Sequence, residues 1–350
     1  MNPQKPTTAV RDEELPKTGA PTKPEWKARG PVAVSGAERI ASELTVEEVM
    51  SGAESSLRLK RLAKRAAWEN GSAPEETIHA VYQGDARDMR EGLGPVHLVV
   101  TSPPYFNLID YDGDQPTEGQ LGSIDKYEAF LDELDRVWQH CYDVLTPGGR
   151  MCVVVGSVCI SRRAGGRHHV LPLPADISVR ARQAGFDYLT PIQWYKIANM
   201  ATEAKGVGFL GKPYEPNAII KNDIEMILML RKPGAYRKPT PAQRALSLIE
   251  PQDHRRWFRS IWSDIPGEPR KRGHPAPFPV ALVARLIQMF SFVGDTVLDP
   301  FWGTGTTTVA AMDTARSSIG YEIDPRYLEI GRSRLQQTDA HRVPAKIKFP

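Results

Sequence analysis

Two short stretches of the sequence carry residue types that can do chemistry together. The first, Ser102-Pro103-Pro104-Tyr105, follows an apolar run and puts a hydroxyl, two stiff residues and an aromatic ring in one turn. Proline fixes its backbone φ angle, so the carbonyl groups of this turn are held in place. A hydroxyl and a fixed carbonyl accept hydrogen bonds, and a tyrosine ring can stack on a flat substrate. A turn that only ends a strand is the alternative explanation.

The second stretch, TVLDPFWGTGTTTVAAM, is typical of a buried strand, a glycine turn and the start of a helix. Gly303 and Gly305 let the backbone approach a ligand closely, and the helix N-terminus offers free N–H groups. Thr308 replaces the third glycine of the dinucleotide fingerprint, and no lysine follows Gly305 as a phosphate-binding loop requires. Glu322 ends the next predicted strand about 20 residues later, where an acid binds ribose hydroxyls in doubly wound folds. These features predict a nucleoside ligand without a pyrophosphate, such as S-adenosylmethionine, with a purely structural tight turn as the alternative.

The rest of the chain divides into four parts by composition. Residues 1–75 hold a tail rich in Pro, Lys, Thr and Glu, which we expect to be disordered, and then a basic helix that is either a solvated face or a phosphate contact. Residues 76–197 and 273–340 alternate short apolar runs with helical stretches, which predicts a mostly parallel sheet covered on both faces. Between 198 and 272 the alternation fails, and we predict an insertion that carries specificity.

Composition excludes several classes of protein. The chain has 350 residues and a formal net charge of +3, a basic bias too weak to name a partner by itself. Cys141, Cys152 and Cys159 cannot build a disulfide framework and lack zinc-site spacing, and His168 and His169 are adjacent rather than spaced along one helix face. No apolar run reaches the roughly 20 residues of a membrane span, and the N-terminus has no signal-peptide core. We therefore expect a soluble, cytoplasmic protein with no metal and no membrane partner.

The two motifs together resemble those of the DNA amino-methyltransferases, which carry a (Ser/Asp/Asn)-Pro-Pro-(Tyr/Phe) turn after one strand and an FxGxG-type loop after another. The catalytic turn comes first here, as in the permuted β group of that family. The stretches KRGHPAPFPVALVARLI and FLGKPYEPN with IEMILMLRKPG add to the likeness, which extends from about Thr77 to Gln337. The resemblance implies an α/β, doubly wound, mostly parallel seven-stranded sheet: a Rossmann-like methyltransferase fold with circularly permuted motif order and an inserted target-recognition region.

The resemblance also implies the reaction, a methyl transfer from S-adenosylmethionine to an exocyclic amine of a base rotated out of double-stranded DNA. The Ser102 hydroxyl and the Pro103 carbonyl would accept from the amine while Tyr105 stacks on the base. Serine at the first position favours cytosine N4 over adenine N6 in this family. Carbon-5 methylation would need a cysteine nucleophile, typically after a proline, and no cysteine here follows one. Protein or RNA amine methylation and a catalytically idle DNA-binding regulator are the rival hypotheses.

The resemblance carries over to named positions. The catalytic positions are Ser102, Pro103, Pro104 and Tyr105. The cofactor-binding positions are Asp85, His274, Pro275, Phe278, Asp299, Pro300, Phe301, Gly303, Gly305, Thr306 and Glu322. Structural roles remain open for three of these: a helix N-cap for Asp85, capping or packing for His274, and capping of the turn for Asp299.

Two basic clusters are the candidates for contact with DNA. Arg162, Arg163 and Arg167 lie on a glycine-hinged loop, and Arg255 and Arg256 lie in a basic, aromatic stretch. Solvated surface arginines are the alternative for both clusters. The expected partner is double-stranded DNA, which would place the protein at the nucleoid. A cognate restriction endonuclease and the choice between monomer and homodimer stay open.

Overall fold

The protein is described by a computed structural model over residues 49–50, 56–90, 92–106, 117–161, 165–196, 222–268, 278–338 and 343–350. The strands are β1 (Thr77–Gln83), β2 (Val96–Thr101), β3 (Leu145–Val155), β4 (Val158–Ile160), β5 (His169–Leu171), β6 (Asp187–Tyr195), β7 (Ile224–Arg231), β8 (Ile261–Trp262), β9 (Thr296–Asp299), β10 (Ser317–Glu322) and β11 (Ala345–Lys348). The main helices are α1 (Leu57–Glu69), α2 (Tyr127–Val144), α3 (Leu173–Gln183), α4 (Pro241–Leu246), α5 (Pro251–Trp257), α6 (Val280–Phe290), α7 (Thr306–Asp313) and α8 (Pro325–Gln336).

The central sheet has nine strands within these ranges, in the order β11-β1-β10-β9-β2-β3-β7-β6-β8. Neighbouring strands are parallel except where β7 pairs with β3 and β6. The predicted α/β, mostly parallel sheet is therefore confirmed, but two short edge strands, β8 and β11, bring the count to nine instead of seven. Runs of two and four residues are too short to give a hydrophobic pattern that sequence can show.

The two strands that precede the motifs are neighbours in this sheet. Leu98 of β2 pairs with Val297 of β9, and Val99 pairs with Leu298. Because parallel strands end at the same edge, the proline turn after β2 and the glycine loop after β9 emerge side by side. This juxtaposition agrees with the rule that ligands bind beyond the carboxyl ends of strands at a topological switch point.

The predicted insertion over 198–272 is not a single inserted unit. β7 lies inside that range and sits between β3 and β6, with Ile227, Leu228 and Leu230 fully buried. Its apolar run is hard to recognise because Pro, Gly and Lys surround it and because a strand buried on both faces shows no alternation. Residues 197–221 lie outside the described part of the chain.

Helices cover both faces of the sheet. The side chains of α2 and α3 pack with β2 and β3 in one core cluster, and those of α6 and α7 pack on the other face. The predicted basic helix is α1, in which Ala63 and Ala67 are buried. Arg61 pairs with Glu250 there, so part of its charge is bound by the protein itself. None of the helices in the described ranges combines the length and the apolar character needed to cross a membrane.

Candidate active site

A cleft with an empty volume of about 860 Å³ opens where β1, β2, β9 and β10 end. The predicted catalytic positions Ser102, Pro103, Pro104 and Tyr105 line it together with seven of the predicted cofactor positions: Asp85, Phe278, Pro300, Phe301, Gly303, Thr306 and Glu322. The two motifs therefore form one site, which the sequence alone could only suggest.

The proline turn is anchored by the residue that follows it. Phe106 has a backbone φ of 49°, in the left-handed region that non-glycine residues rarely adopt. Its ring is buried and packs edge-on to Tyr127, with 5.4 Å between the ring centroids. Burial of the ring offsets the backbone strain, and it fixes the direction in which Tyr105 leaves the turn. Nothing in the sequence marked Phe106 for this role.

Glu322 joins the end of β10 to the glycine loop. Its Oε2 accepts a hydrogen bond of 2.7 Å from the Gly303 N–H, and its Oε1 accepts one of 2.9 Å from the Asp324 N–H. Burial raises the pKa of Glu322 to about 8, although these two donors act to lower it. Each oxygen keeps a second lone pair, so the carboxylate can hold the loop and still accept from hydroxyl groups of a ligand in the cleft.

Trp302 fixes the shape of the glycine loop. A Cβ atom added to Gly305 would lie 2.8 Å from the Trp302 ring, and Cβ atoms at Gly320 and Gly331 would come closer still. Gly305 also has a φ of 82°, which a side chain would strain. Gly305 does not line the cleft, so its role is to admit the tryptophan and start α7, rather than to contact a ligand.

A chain of buried hydrogen bonds continues from Trp302 into the sheet. The groups in order are Trp302, Thr308, Ser318, His79 and Thr77, with separations of 2.8, 3.0, 2.9 and 2.9 Å, and the chain ends on the carbonyl before β11. Because an indole N–H only donates and a carbonyl only accepts, the chain runs one way, with neutral His79 accepting at Nδ1 and donating from Nε2. Burial lowers the pKa of His79 to about 4, which agrees with the neutral form.

Asp299 lies behind the cleft wall rather than in it. It is fully buried and accepts from the Thr101 hydroxyl at 2.7 Å, the Thr307 hydroxyl at 2.6 Å and the Phe301 N–H at 3.1 Å. Burial raises its pKa to about 6, although the three donors act to lower it. The contacts match the turn-capping alternative, and they connect β9, β2 and α7 at the point where the two motifs meet.

Asp85 combines both of the roles considered for it. It lines the cleft and also accepts from the Arg87 N–H at 2.8 Å as the N-cap of a short 3-10 helix. The Arg87 side chain binds Asp85, Glu133 and the Gly119 carbonyl, and Gly119 is part of the cleft wall. Sequence reasoning missed Arg87, since its partners lie as far as 46 residues away.

Several of the remaining predicted positions cannot be placed relative to the cleft. His274, Pro275, Arg162 and Arg163 lie outside the described residues. Arg167 is exposed beside β5.

Arg255 and Arg256 are exposed on α5, whose His254 lines a second groove with His97 and Asp295 at the amino ends of β2 and β9. That groove is at the edge of the sheet opposite the cleft. Arg256 is also paired with Asp253 and Asp264.

The residues of the cleft fit S-adenosylmethionine. The Glu322 oxygens suit ribose hydroxyls, Phe278, Phe301 and Tyr321 offer apolar surface, and the backbone of the Gly303 turn can be approached closely. The cleft holds no lysine or arginine among its lining residues in the described chain, which suits a ligand without phosphate.

Comparison with known proteins gives the family. A family model for DNA methylases matches residues 96–333. The type II methyltransferase M.MjaI of Methanocaldococcus jannaschii is 38% identical over 276 residues, which are 71% of this chain and 88% of that protein.

Solved structures agree with this match. A protein from Thermus thermophilus described as a DNA modification methylase, solved in complex with S-adenosyl-L-methionine, is 48% identical with a TM-score of 0.63, and the match covers 77% of this chain and 98% of that chain. PvuII DNA methyltransferase shares the fold with a TM-score of 0.54 at 18% identity, over 75% of this chain and 88% of that chain. With the proline turn and the glycine loop lining one cleft that fits S-adenosylmethionine, the chain belongs to the family of N6/N4 amino-methylating DNA methylases that use this cofactor.

Proposed function

We propose that the protein transfers a methyl group from S-adenosylmethionine to the N4 amine of cytosine in duplex DNA, with the target base rotated out of the helix. The observation that carries the proposal is the place of Ser102 in the same cleft as Gly303 and Glu322. A catalytic turn and a cofactor loop that share one cleft bring the acceptor amine and the methyl donor within reach of each other.

The proline turn, residues 102–105, can make the exocyclic amine of the substrate a better nucleophile. The lone pair of an exocyclic amine is delocalised into the ring, which makes the nitrogen a poor nucleophile. Acceptors at the Ser102 hydroxyl and the Pro103 carbonyl favour a pyramidal nitrogen with its lone pair directed away from the ring. Bound S-adenosylmethionine supplies an electrophilic methyl group on a sulfonium. The chain thus contributes positioning and electrostatic stabilisation. The transfer is direct and in line: the nitrogen forms its bond to the methyl group as the sulfonium–methyl bond breaks, and the methylated amine then releases one proton to water.

Tyr105 is the stacking surface for the rotated base. Its ring is 8% exposed and lines the cleft, so it offers a face rather than a mobile side chain. Stacking on an aromatic ring contributes roughly 1–3 kcal/mol per base in single-strand recognition. That contribution offsets part of the cost of removing the base from the duplex.

The cofactor residues have distinct proposed roles. Glu322 binds the ribose hydroxyls, the Gly303 backbone forms the floor, and Asp85 lies toward the adenine. Phe278 and Phe301 supply apolar contact, and Pro300 and Thr306 complete the wall. His274 and Pro275 remain predicted contacts for the methionine part of the cofactor.

Serine at position 102 favours cytosine over adenine, because family members with aspartate at this position mostly act on adenine N6. Adenine N6 methylation is the second candidate, since a hydroxyl and a carboxylate both accept from an amine. Arg162, Arg163 and Arg167 are the proposed phosphate or base contacts. Arg255 and Arg256 sit away from the cleft and are weaker candidates.

Nucleoside mass spectrometry tests the proposal. The purified protein is incubated with S-adenosylmethionine and genomic DNA from a methylation-free host, and the digested nucleosides are analysed. We expect N4-methylcytosine. N6-methyladenine without N4-methylcytosine would replace cytosine by adenine as the target, and methylation of RNA or protein alone would overturn the assignment to DNA.

A further inference from the structure

An ion pair between a half-buried lysine and a buried glutamate lies near the proline turn and has no part in the proposed methyl transfer. Lys196 follows the last residue of β6, and its ammonium donates to Oε1 of Glu225 near the start of β7. Glu225 is only 6% exposed, and Trp194 pairs with it across the two strands. The pair therefore sits at the edge of the sheet where β3 also ends.

Gly156 brings this ion pair against the catalytic turn. A Cβ atom on Gly156 would lie 3.3 Å from Cγ of Glu225 and 3.7 Å from Cε2 of Tyr105. Because Gly156 has no side chain, Glu225 and the Tyr105 ring can both pack against its backbone. Glu225, and through it the Lys196 ammonium, therefore lies close to the Tyr105 ring.

Stability alone does not account for the pair. Removing two charges from water costs more than their attraction commonly returns, and apolar replacements of such pairs are often neutral or stabilising. Lys196 has three N–H donors, of which one binds Glu225, and the Trp194 ring lies 5.9 Å from its nitrogen. Among the residues that the structure describes, no acceptor is assigned to the other two donors.

We propose that Lys196 donates a hydrogen bond to the ring edge of the target cytosine and that Glu225 is a positioning residue that holds the ammonium in place. The inference rests on the proposed function. When the N4 amine faces Ser102 and Pro103, cytosine presents N3 and O2 beside it, and both atoms only accept hydrogen bonds. A lysine ammonium only donates, so the groups are complementary. Adenine has a single acceptor, N1, in the same region, so Lys196 favours cytosine.

Three variants test the proposal with unmethylated genomic DNA as substrate. They are Lys196→Met, Lys196→Arg and the double variant Lys196→Met with Glu225→Gln. We expect Lys196→Met to lower kcat/KM for DNA about 10- to 100-fold, the range expected from loss of a charged hydrogen bond. The affinity for S-adenosylmethionine, measured by calorimetry, stays within about twofold because the cofactor residues are untouched. Lys196→Arg keeps a donor and retains more activity.

The double variant separates a base contact from a structural role. Lys196→Met leaves a buried carboxylate without its partner and is destabilising, whereas the double variant removes both charges and regains thermal stability. We expect its activity to remain low and its ratio of N6-methyladenine to N4-methylcytosine to rise. Lys346→Met on the edge strand β11 is the matched control and retains wild-type activity.

Two results overturn the inference. If the double variant regains wild-type activity together with stability, the pair is structural. If Lys196→Met is as active as the wild type, Lys196 does not contact the base. If the wild-type enzyme forms no N4-methylcytosine, the proposed function itself is contradicted. This outcome is seen in the wild type alone and is therefore distinct from the two results above, which concern the variants.

Discussion

The two walls of the cleft differ in how their polar groups are satisfied. The proposed cofactor wall runs from Pro300 to Thr306 and includes Glu322, with Asp299 behind it. The carboxylates of Glu322 and Asp299 accept from backbone N–H groups and hydroxyls of the protein. The proposed base wall, formed by Ser102 and Pro103, has acceptors to which no residue of the described chain is assigned as a donor. The Lys196–Glu225 pair lies outside the lining of the cleft, and two N–H donors of Lys196 have no assigned acceptor in the described chain. Internal hydrogen bonds therefore hold the cofactor wall in one shape, whereas the hydrogen-bonding groups of the base wall are held in place mainly by the stiff proline turn.

The largest effect on cofactor affinity is expected at Gly305, where the glycine loop packs tightly against Trp302. Gly305→Val places a side chain into the Trp302 ring at a φ of 82° and should reduce the affinity for S-adenosylmethionine by more than about 1,000-fold, because the loop must move. Gly94→Val is the matched control, with a φ of 80° and no atom within 4 Å of the added Cβ. The control variant therefore has the same backbone strain as Gly305→Val but no steric clash. Calorimetric titration of both variants measures the difference in affinity. Equal affinities would contradict the view that cofactor binding depends on the packing of the glycine loop against Trp302.

Ser102→Ala should impair catalysis without impairing cofactor binding. Loss of one acceptor for the reacting amine is expected to lower kcat by about 100- to 1,000-fold, the magnitude typical of a deleted group that stabilises a transition state. The affinity for S-adenosylmethionine should not change. Ser178→Ala, which removes a hydroxyl bonded within α3, is the control. Methyl transfer to DNA is measured at saturating cofactor, and a fully active Ser102→Ala enzyme would exclude Ser102 from the mechanism.

The hydrogen-bonded chain behind the cofactor wall gives a pH dependence of stability. The pKa of His79 in the folded protein is about 4, below its ordinary value of 6.5, so folding favours the neutral form. Its contribution is complete above pH 6.5 and is lost as the pH falls toward 4, by up to about 3 kcal/mol.

Urea unfolding at several pH values measures this loss in the wild type and in His79→Gln, which cannot titrate. The stabilities of the two proteins should converge as the pH falls from 6.5 to 4. A constant difference would contradict the one-way chain. Glu322 and Asp299 titrate in both proteins, so their contributions cancel in the comparison.

The smallest effect concerns the cofactor itself. If ribose hydroxyls donate to Glu322, binding favours the carboxylate, whose pKa is about 8. Affinity for S-adenosylmethionine should therefore rise by roughly 25-fold between pH 6.5 and 8.5 as the group ionises. Titration of the cofactor's own amine affects the wild type and Glu322→Gln alike, so the ratio of the two affinities isolates Glu322. A ratio that does not vary with pH would exclude this contact.

The sequence was sufficient to predict the pieces whose chemistry is local. The proline turn and the glycine loop each follow a strand, and Glu322 is the last residue of one. Each of these features is contiguous in sequence, so its residue types are visible without the tertiary structure. The cage around Trp302 could not be predicted, because Gly305, Gly320 and Gly331 come together only through tertiary packing. The same limit applies to the Lys196–Glu225 pair, which the pairing of β6 with β7 creates.

The pairing of β2 with β9 also has a consequence for the synthesis of the chain. About 190 residues separate the end of β2 from the start of β9, and β1 likewise pairs only with strands made after it, β10 and β11. At roughly 5–20 residues per second, the ribosome needs on the order of 10–40 seconds to supply the missing neighbour. During that time the nascent chain exposes one edge of β2 and contains no cofactor loop. The proline turn and the glycine loop can therefore come together only late in synthesis, when β9 and β10, which lie in about the last sixth of the chain, are inserted between β1 and β2.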